Sequence, residues 1–183
     1  MARNAWKGSL KMLNLNNIQA KSATWDEPIE MLYACHGKIK NFCQQLLRLP
    51  EYLAQHGCND VVRGSVAQIL TYFNQAAPLH HADEEVDFFP LLQQYAPQSH
   101  DLIAKLAAEH DVLEENWRIL AQELNAILLG DTVTLSAQNV AKFTQSYAQH
   151  IEYEEPLFEM GKQFIPPEKL RAIGKIMAQR RLG

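Results

Sequence analysis

The chain predicts an all-α protein, an up-down-up-down antiparallel four-helix bundle, on three observations. Apolar positions recur at helical intervals over four long segments. Short stretches rich in Gly, Pro, Asn and Ser separate those segments. Strand-type alternation of any length is missing from the sequence. Long helices with short connections pack as antiparallel neighbours.

Residues 1–24 mix Asn, Lys, Gly and Ser with scattered apolar positions and are expected to form a loosely packed or disordered extension. The bundle is expected over residues 25–165. Its first helix opens at Asp26-Glu27-Pro28, because proline is tolerated in a first turn and acidic groups suit the positive end of the helix dipole. The apolar stripe then runs through Ile29, Leu32, Tyr33, His36, Ile39, Cys43, Leu46 and Leu47, and Pro50 with His56-Gly57 marks the end and the turn. Asn59 or Asp60 caps the second helix, whose stripe passes from Val62, Val66, Ile69 and Phe73 to His80, Glu84, Phe88 and Leu91. Pro78 cannot donate to the Asn74 carbonyl, so a kink is expected just before His80; Pro90 weakens the ladder again.

Pro97-Gln98-Ser99 starts the third helix, with Ser99 as its cap. Leu102, Leu106, His110, Leu113, Trp117, Leu120, Leu124 and Leu128 share one face, and Gly130 stops it. Thr134 or Ser136 caps the fourth helix, which carries Val140, Phe143, Tyr147, His150, Glu154 and Leu157; Pro156 bends it and Gly161 ends it. Pro166-Pro167-Glu168 opens a short extra helix over residues 166–183, whose Lys175, Arg180 and Arg181 are read as solvated charge.

The 183 residues suit one domain with a sizeable core, and 47% hydrophobic with 21% charged residues is the balance of a soluble globular protein. A net charge of −4 gives no basic excess for nucleic acid or an anionic membrane. No apolar run approaches the roughly 20 residues that span a bilayer. The first 22 residues hold no signal-type apolar stretch, so a cytoplasmic location is the expectation. Cys35, Cys43 and Cys58 form no CxxC pattern, and their odd number favours free thiols over a disulfide framework.

The chemistry lies in His80-His81-Ala82-Asp83-Glu84-Glu85 and in His150-Ile151-Glu152-Tyr153-Glu154-Glu155. His80 with Glu84, and His150 with Glu154, stand four apart, so each imidazole and carboxylate share one helix face. His36 precedes the first pair and His110 the second, and the two sets are offset by 70 to 74 positions. This is an internal two-fold repeat with one ligand set per helix pair. All six residues lie on apolar stripes, where a free carboxylate costs several kcal/mol to bury. One such histidine is more often a packed core residue. Four imidazoles and two carboxylates together call for cations to offset the cost. Nitrogen and oxygen donors without thiolate favour iron or manganese, with zinc possible; two carboxylates can bridge two ions and leave positions open for a small ligand. His56, His81 and His100 are read as solvent-facing. The alternative register, His81 with Glu85, is set aside because that face carries Asn74 where the His80 face carries Phe73.

With these residues the chain resembles the hemerythrin-like family, whose motif is a His, then His-x-x-x-Glu, then His, then His-x-x-x-Glu. The likeness covers about residues 25–165 and includes Phe88-Phe89-Pro90. It implies a four-helix bundle around a non-haem di-iron centre with a bridging oxo or hydroxo group. His36, His80, His110 and His150 would be terminal ligands, and Glu84 and Glu154 the bridges. Two departures stand out. Oxygen-carrying members place a second His one turn from the third-helix ligand, where this chain has Leu106 and Glu114, and they end the last motif in Asp at longer spacing rather than in Glu154. Water or Glu114 would complete the shell. A relative that repairs iron–sulfur clusters shares the bundle pattern, but its additional N-terminal domain does not fit before Asp26.

The expected function is binding or sensing of a small diatomic ligand, O₂ or NO, at the di-iron site. The alternative is a di-iron oxidase, peroxidase or nitric-oxide-handling enzyme, with Tyr33 and Tyr147 near the metals, although plain packing is the commoner role for such tyrosines. A third possibility is an interaction module with structural metals, using the basic C-terminal helix and Trp6 or Trp25 for a partner. A homodimer contact through residues 1–25 is a further expectation.

Overall fold

The computed structural model describes residues 23–182. The N-terminal extension up to residue 22, with Trp6 and most of the expected dimer contact, lies outside them. Among the described residues the regular structure is helical, joined by short turns and loops, without a strand. No helix among them is long and apolar enough to cross a membrane.

Helix α1 (Pro28–His56) begins where expected, with Pro28 in its first turn. It does not end at Pro50. Leu46, Leu49 and Leu53 are buried on either side, so packing holds the helix across the missing hydrogen bond. The stop is Gly57, with φ 65°, a left-handed conformation that glycine adopts without steric cost.

The second rod is interrupted twice. It comprises α2 (Asp60–Thr71), a π-helical turn Tyr72–Ala76, α3 (Ala77–Ala82), a second π-helical turn Asp83–Phe88, and α4 (Phe89–Tyr95). Asn59 is the cap, its Oδ1 accepting from the Val62 N–H at 3.0 Å. Each wide turn closes with a bond five residues back, Ala77 N–H to the Tyr72 carbonyl and Phe89 N–H to the Glu84 carbonyl. Pro78 and Pro90 then fall in the first turn of the α-helix that follows, where a missing N–H costs little. The helical ladder is thus rerouted around both prolines.

A 3₁₀ turn (Pro97–Ser99) leads into α5 (His100–Leu129). Ser99 stands at the N-cap as expected, but its side chain makes no capping bond, because the hydroxyl donates to the Ala96 carbonyl at 2.7 Å instead. Ile103, Asn116 and Ile127 are buried, whereas Leu102, Trp117 and Leu128 are half-buried, so the inner face is rotated slightly from the expected stripe. Gly130 ends the helix with φ 83°. Ser136 caps α6 (Ala137–Phe164), its Oγ accepting from the Asn139 N–H at 3.2 Å. Helix α6 continues through Pro156 and also through Gly161, which does not terminate it. A Cβ at Gly161 would lie 2.6 Å from the Phe88 ring, so close packing, and not chain termination, calls for glycine there. Helix α7 (Pro167–Arg180) packs on α1 and on the second π turn.

Helix α6 packs against both α1 and α5, and α2 lies along α5. Two apolar clusters fill the interior. One holds Leu46, Val66, Ile69, Phe73, Leu120 and Phe143; the other holds Leu32, Phe88, Leu106, Leu157, Phe158 and Met177. The candidate ligands interrupt the apolar stripes between them: Leu32, His36 and Ile39 follow one another on α1, as do Leu106, His110 and Leu113 on α5. A polar layer therefore crosses the bundle between two dry ends.

Candidate metal centre

All six candidate ligands converge in this layer, none more than 5% exposed. His36, His80, Glu84 and Glu154 form one group of mutually close donor atoms, and His110, His150 and Glu154 form a second. Glu154 belongs to both. Its Oε2 lies 3.0 Å from His36 Nε2 and 3.5 Å from His150 Nε2. Glu84 also spans the layer, with Oε1 3.1 Å from His80 Nε2 and 3.9 Å from His36 Nε2, and Oε2 3.7 Å from His110 Nε2. The four histidines turn Nε2 inward, and His110 Nε2 and His150 Nε2 stand 2.9 Å apart.

Three of the outward-facing nitrogens meet carboxylates near the surface. His36 Nδ1 pairs with Glu155 at 3.3 Å, His110 Nδ1 with Glu85 at 2.5 Å, and His150 Nδ1 with Glu109 at 3.1 Å. Lys40 in turn holds Glu155 at 2.8 Å. A carboxylate on the outer nitrogen fixes the ring and leaves Nε2 as the donor to a metal, the usual arrangement around metal-bound histidine. Glu85, Glu109 and Glu155 carry no signal in the ligand spacing. They follow or precede inward residues by one position and stand at the protein surface.

Charge is poorly balanced in the layer itself. Burial, then the Glu154 charge, pushes the Glu84 carboxyl well above the ordinary carboxylate range. Burial and then His36 push His80 well below the usual imidazole value; burial and then His150 lower His110. Burial acts against the charged form of His150 as well, but the Glu154 and Glu109 carboxylates outweigh it and raise that ring. Both Glu84 oxygens, Glu154 Oε1 and His80 Nδ1 are buried without a hydrogen-bond partner among the described residues. Orphaned buried carboxylate oxygens are costly in a protein interior. Cations between these donors would satisfy three of those four atoms. The residues present fit metal ions.

Several neighbours of the candidate ligands stand elsewhere than their spacing predicts. His81 does not face solvent: it is half-buried, stacked on His110 with ring centroids 4.0 Å apart, and its Nε2 lies 3.3 Å from the Tyr147 hydroxyl. Burial and then His110 push this imidazole down to about 3, so it is neutral. The π turn Tyr72–Ala76 precedes both His80 and His81 and departs from the regular helical period on which the solvent-facing expectation rests. Tyr33 turns away from the centre and donates to Glu159 at 2.7 Å, whereas Tyr147 lies beside it through His81. Glu114 is exposed on the rim of a groove of about 440 Å³ next to His81 and His110, and does not join the donor groups. His56 and His100 are exposed as expected, and all three cysteines are free.

A helical bundle with a buried cluster of imidazoles and carboxylates between two apolar ends is a cation-binding scaffold. Comparison with known proteins gives the same class. Residues 27–160 match the hemerythrin HHE cation binding domain, and the chain belongs to that family. It is also similar to a protein of Haemophilus influenzae described as uncharacterized, 49% identical over 159 residues, 87% of this chain and 92% of that protein.

Proposed function

We propose that this protein is a non-haem di-iron protein that binds or senses O₂ or NO, with His36, His80, Glu84, His110, His150 and Glu154 as ligands on an up-down-up-down bundle. The observation that carries it is the pairing of two donor groups through one shared carboxylate, Glu154, with the Glu84 oxygens reaching toward both. Six nitrogen and oxygen donors without thiolate favour iron or manganese over zinc. Bound iron would supply an open position and a change of redox state. The chain's own part is to hold four Nε2 donors in place, to keep bulk water out with Phe88 and Phe158, and to balance charge with Glu154. The three free thiols support a reducing, cytoplasmic setting for this reading.

A second reading, a di-iron oxidase, peroxidase or nitric-oxide-handling enzyme, has one observation in its favour. The Tyr147 hydroxyl stands in hydrogen-bond reach of His81, which stacks on His110. The test for both starts from protein loaded anaerobically with ferrous iron. Two ions per chain and a new visible absorption on admitting air or NO support the binding role. A colourless sample that takes up no iron overturns it. Turnover of peroxide or NO that vanishes in Glu84→Ala moves the assignment to the enzyme.

A further inference from the structure

Helix α7 reaches back to the turn that carries Glu84. Asp83 is fully buried, one residue before Glu84, and its carboxylate is held by two arginines from the end of the chain. Arg180 Nη1 and Arg181 Nη1 both donate to Asp83 Oδ1, the latter at 3.1 Å, and Arg181 Nη2 donates to Oδ2 at 2.6 Å. Arg180 Nη2 reaches on to Asp87 Oδ2 at 2.6 Å. Asp83 and Asp87 stand at the first and fifth residues of the π turn, so the two guanidinium groups grip it across its length.

The arginines are themselves fixed. Arg181 lies over the Trp25 ring at 4.4 Å and donates to the Met177 carbonyl at 2.8 Å. Met177 and Ile173 are buried in the apolar cluster below the metal layer. Gly174 lets α7 approach this closely, since a Cβ there would lie 1.9 Å from the Trp25 carbonyl oxygen. Trp25 and the basic helix end, expected to face a partner or solvent, are used inside the molecule.

π turns are rare and frequently sit at functional sites. This one has Glu84 on its inner side and Asp83 and Asp87 on its outer side, all buried. A buried carboxylate is tolerated when well-formed charge-assisted hydrogen bonds surround it. We infer that Arg180 and Arg181 are positioning residues for the candidate metal site: through Asp83 and Asp87 they fix the π turn and so hold the Glu84 carboxylate in place beside His80 and His36. This rests on the reading above that the six side chains hold two ions.

The test is chelator-driven release of Co²⁺ from the loaded full chain, followed by loss of its visible absorption. Arg180→Gln/Arg181→Gln is compared with a core truncation in the far apolar cluster, Val66→Ala or Leu124→Ala, whichever matches its metal-free melting temperature. The clamp predicts release from the arginine variant roughly tenfold or more faster than from its stability-matched partner, the scale on which outer partners of metal ligands act. Equal release rates, with the unaltered chain loading normally, overturn the inference alone. An unaltered chain that takes up no Co²⁺ overturns the metal reading and this inference with it. Should the double variant fail to fold, Asp83→Asn, which keeps the side chain's shape, is judged by the same comparison and the same criterion.

Discussion

The two donor groups of the candidate site carry the same residue types, yet they sit in different surroundings. The His36–His80 side is closed. Phe158 stacks on His36 at 5.0 Å, Phe88 is fully buried nearby, and His80 Nδ1 has no partner among the described residues. The His110–His150 side is backed by Glu85 and Glu109, whose side chains are 42% and 27% exposed, and it borders the groove beside His81 and Tyr147. Similar donor groups therefore stand in one apolar and one groove-lined setting. Phe158 and Phe88 pack the first, although Glu155 also reaches His36 Nδ1 from the surface; the groove beside His81 marks the second.

The largest expected effect removes the comparison altogether. Glu154→Ala takes away the donor common to both groups, and on the proposed di-iron reading metal analysis should find binding of both ions lost. His36→Ala and His110→Ala should instead each lose chiefly one ion; equal loss of both from either variant would show that the halves are not separable. Next in size, Glu85→Gln should weaken metal affinity at the His110 side by roughly tenfold, measured by chelator competition, while the His36 side changes little.

Smaller effects sharpen the contrast in packing. Gly161→Ala pushes a methyl group into the Phe88 ring beside the closed side, and should cost about 1–3 kcal/mol in denaturant unfolding. His81→Ala, on the open side, should speed the binding of NO to the reduced, iron-loaded protein in stopped-flow traces; an unchanged rate would remove His81 as part of the wall. Asn59→Ala should cost about 1 kcal/mol through the lost cap and leave metal content unchanged, because α2 begins far from the polar layer.

The clustering of the six candidate ligands is legible because much of it is local. His80 with Glu84 and His150 with Glu154 share a face through one turn of helix, and a polar residue in an apolar stripe is visible as an interruption. Local capping chemistry is equally visible, as at Asn59, Ser136 and Gly130. The failures come where one signal has two physical causes. Gly161 can mean a helix end or a close neighbour, and Pro50 can mean a stop or a tolerated gap; packing decides each. His81 is hidden by the assumption of a regular 3.6-residue period, which the π turns break.

By itself the amino-acid sequence determined the helical class, most helix starts, and the six side chains that interrupt the apolar stripes. These depend on periodicity and on contacts within a turn or two of chain. Only the tertiary structure decided that the surroundings of the two donor groups differ, that His81 stacks on His110, and that Arg180 and Arg181 close over Asp83. Those outcomes depend on residues far apart in sequence, where packing geometry and desolvation choose partners that no local spacing encodes.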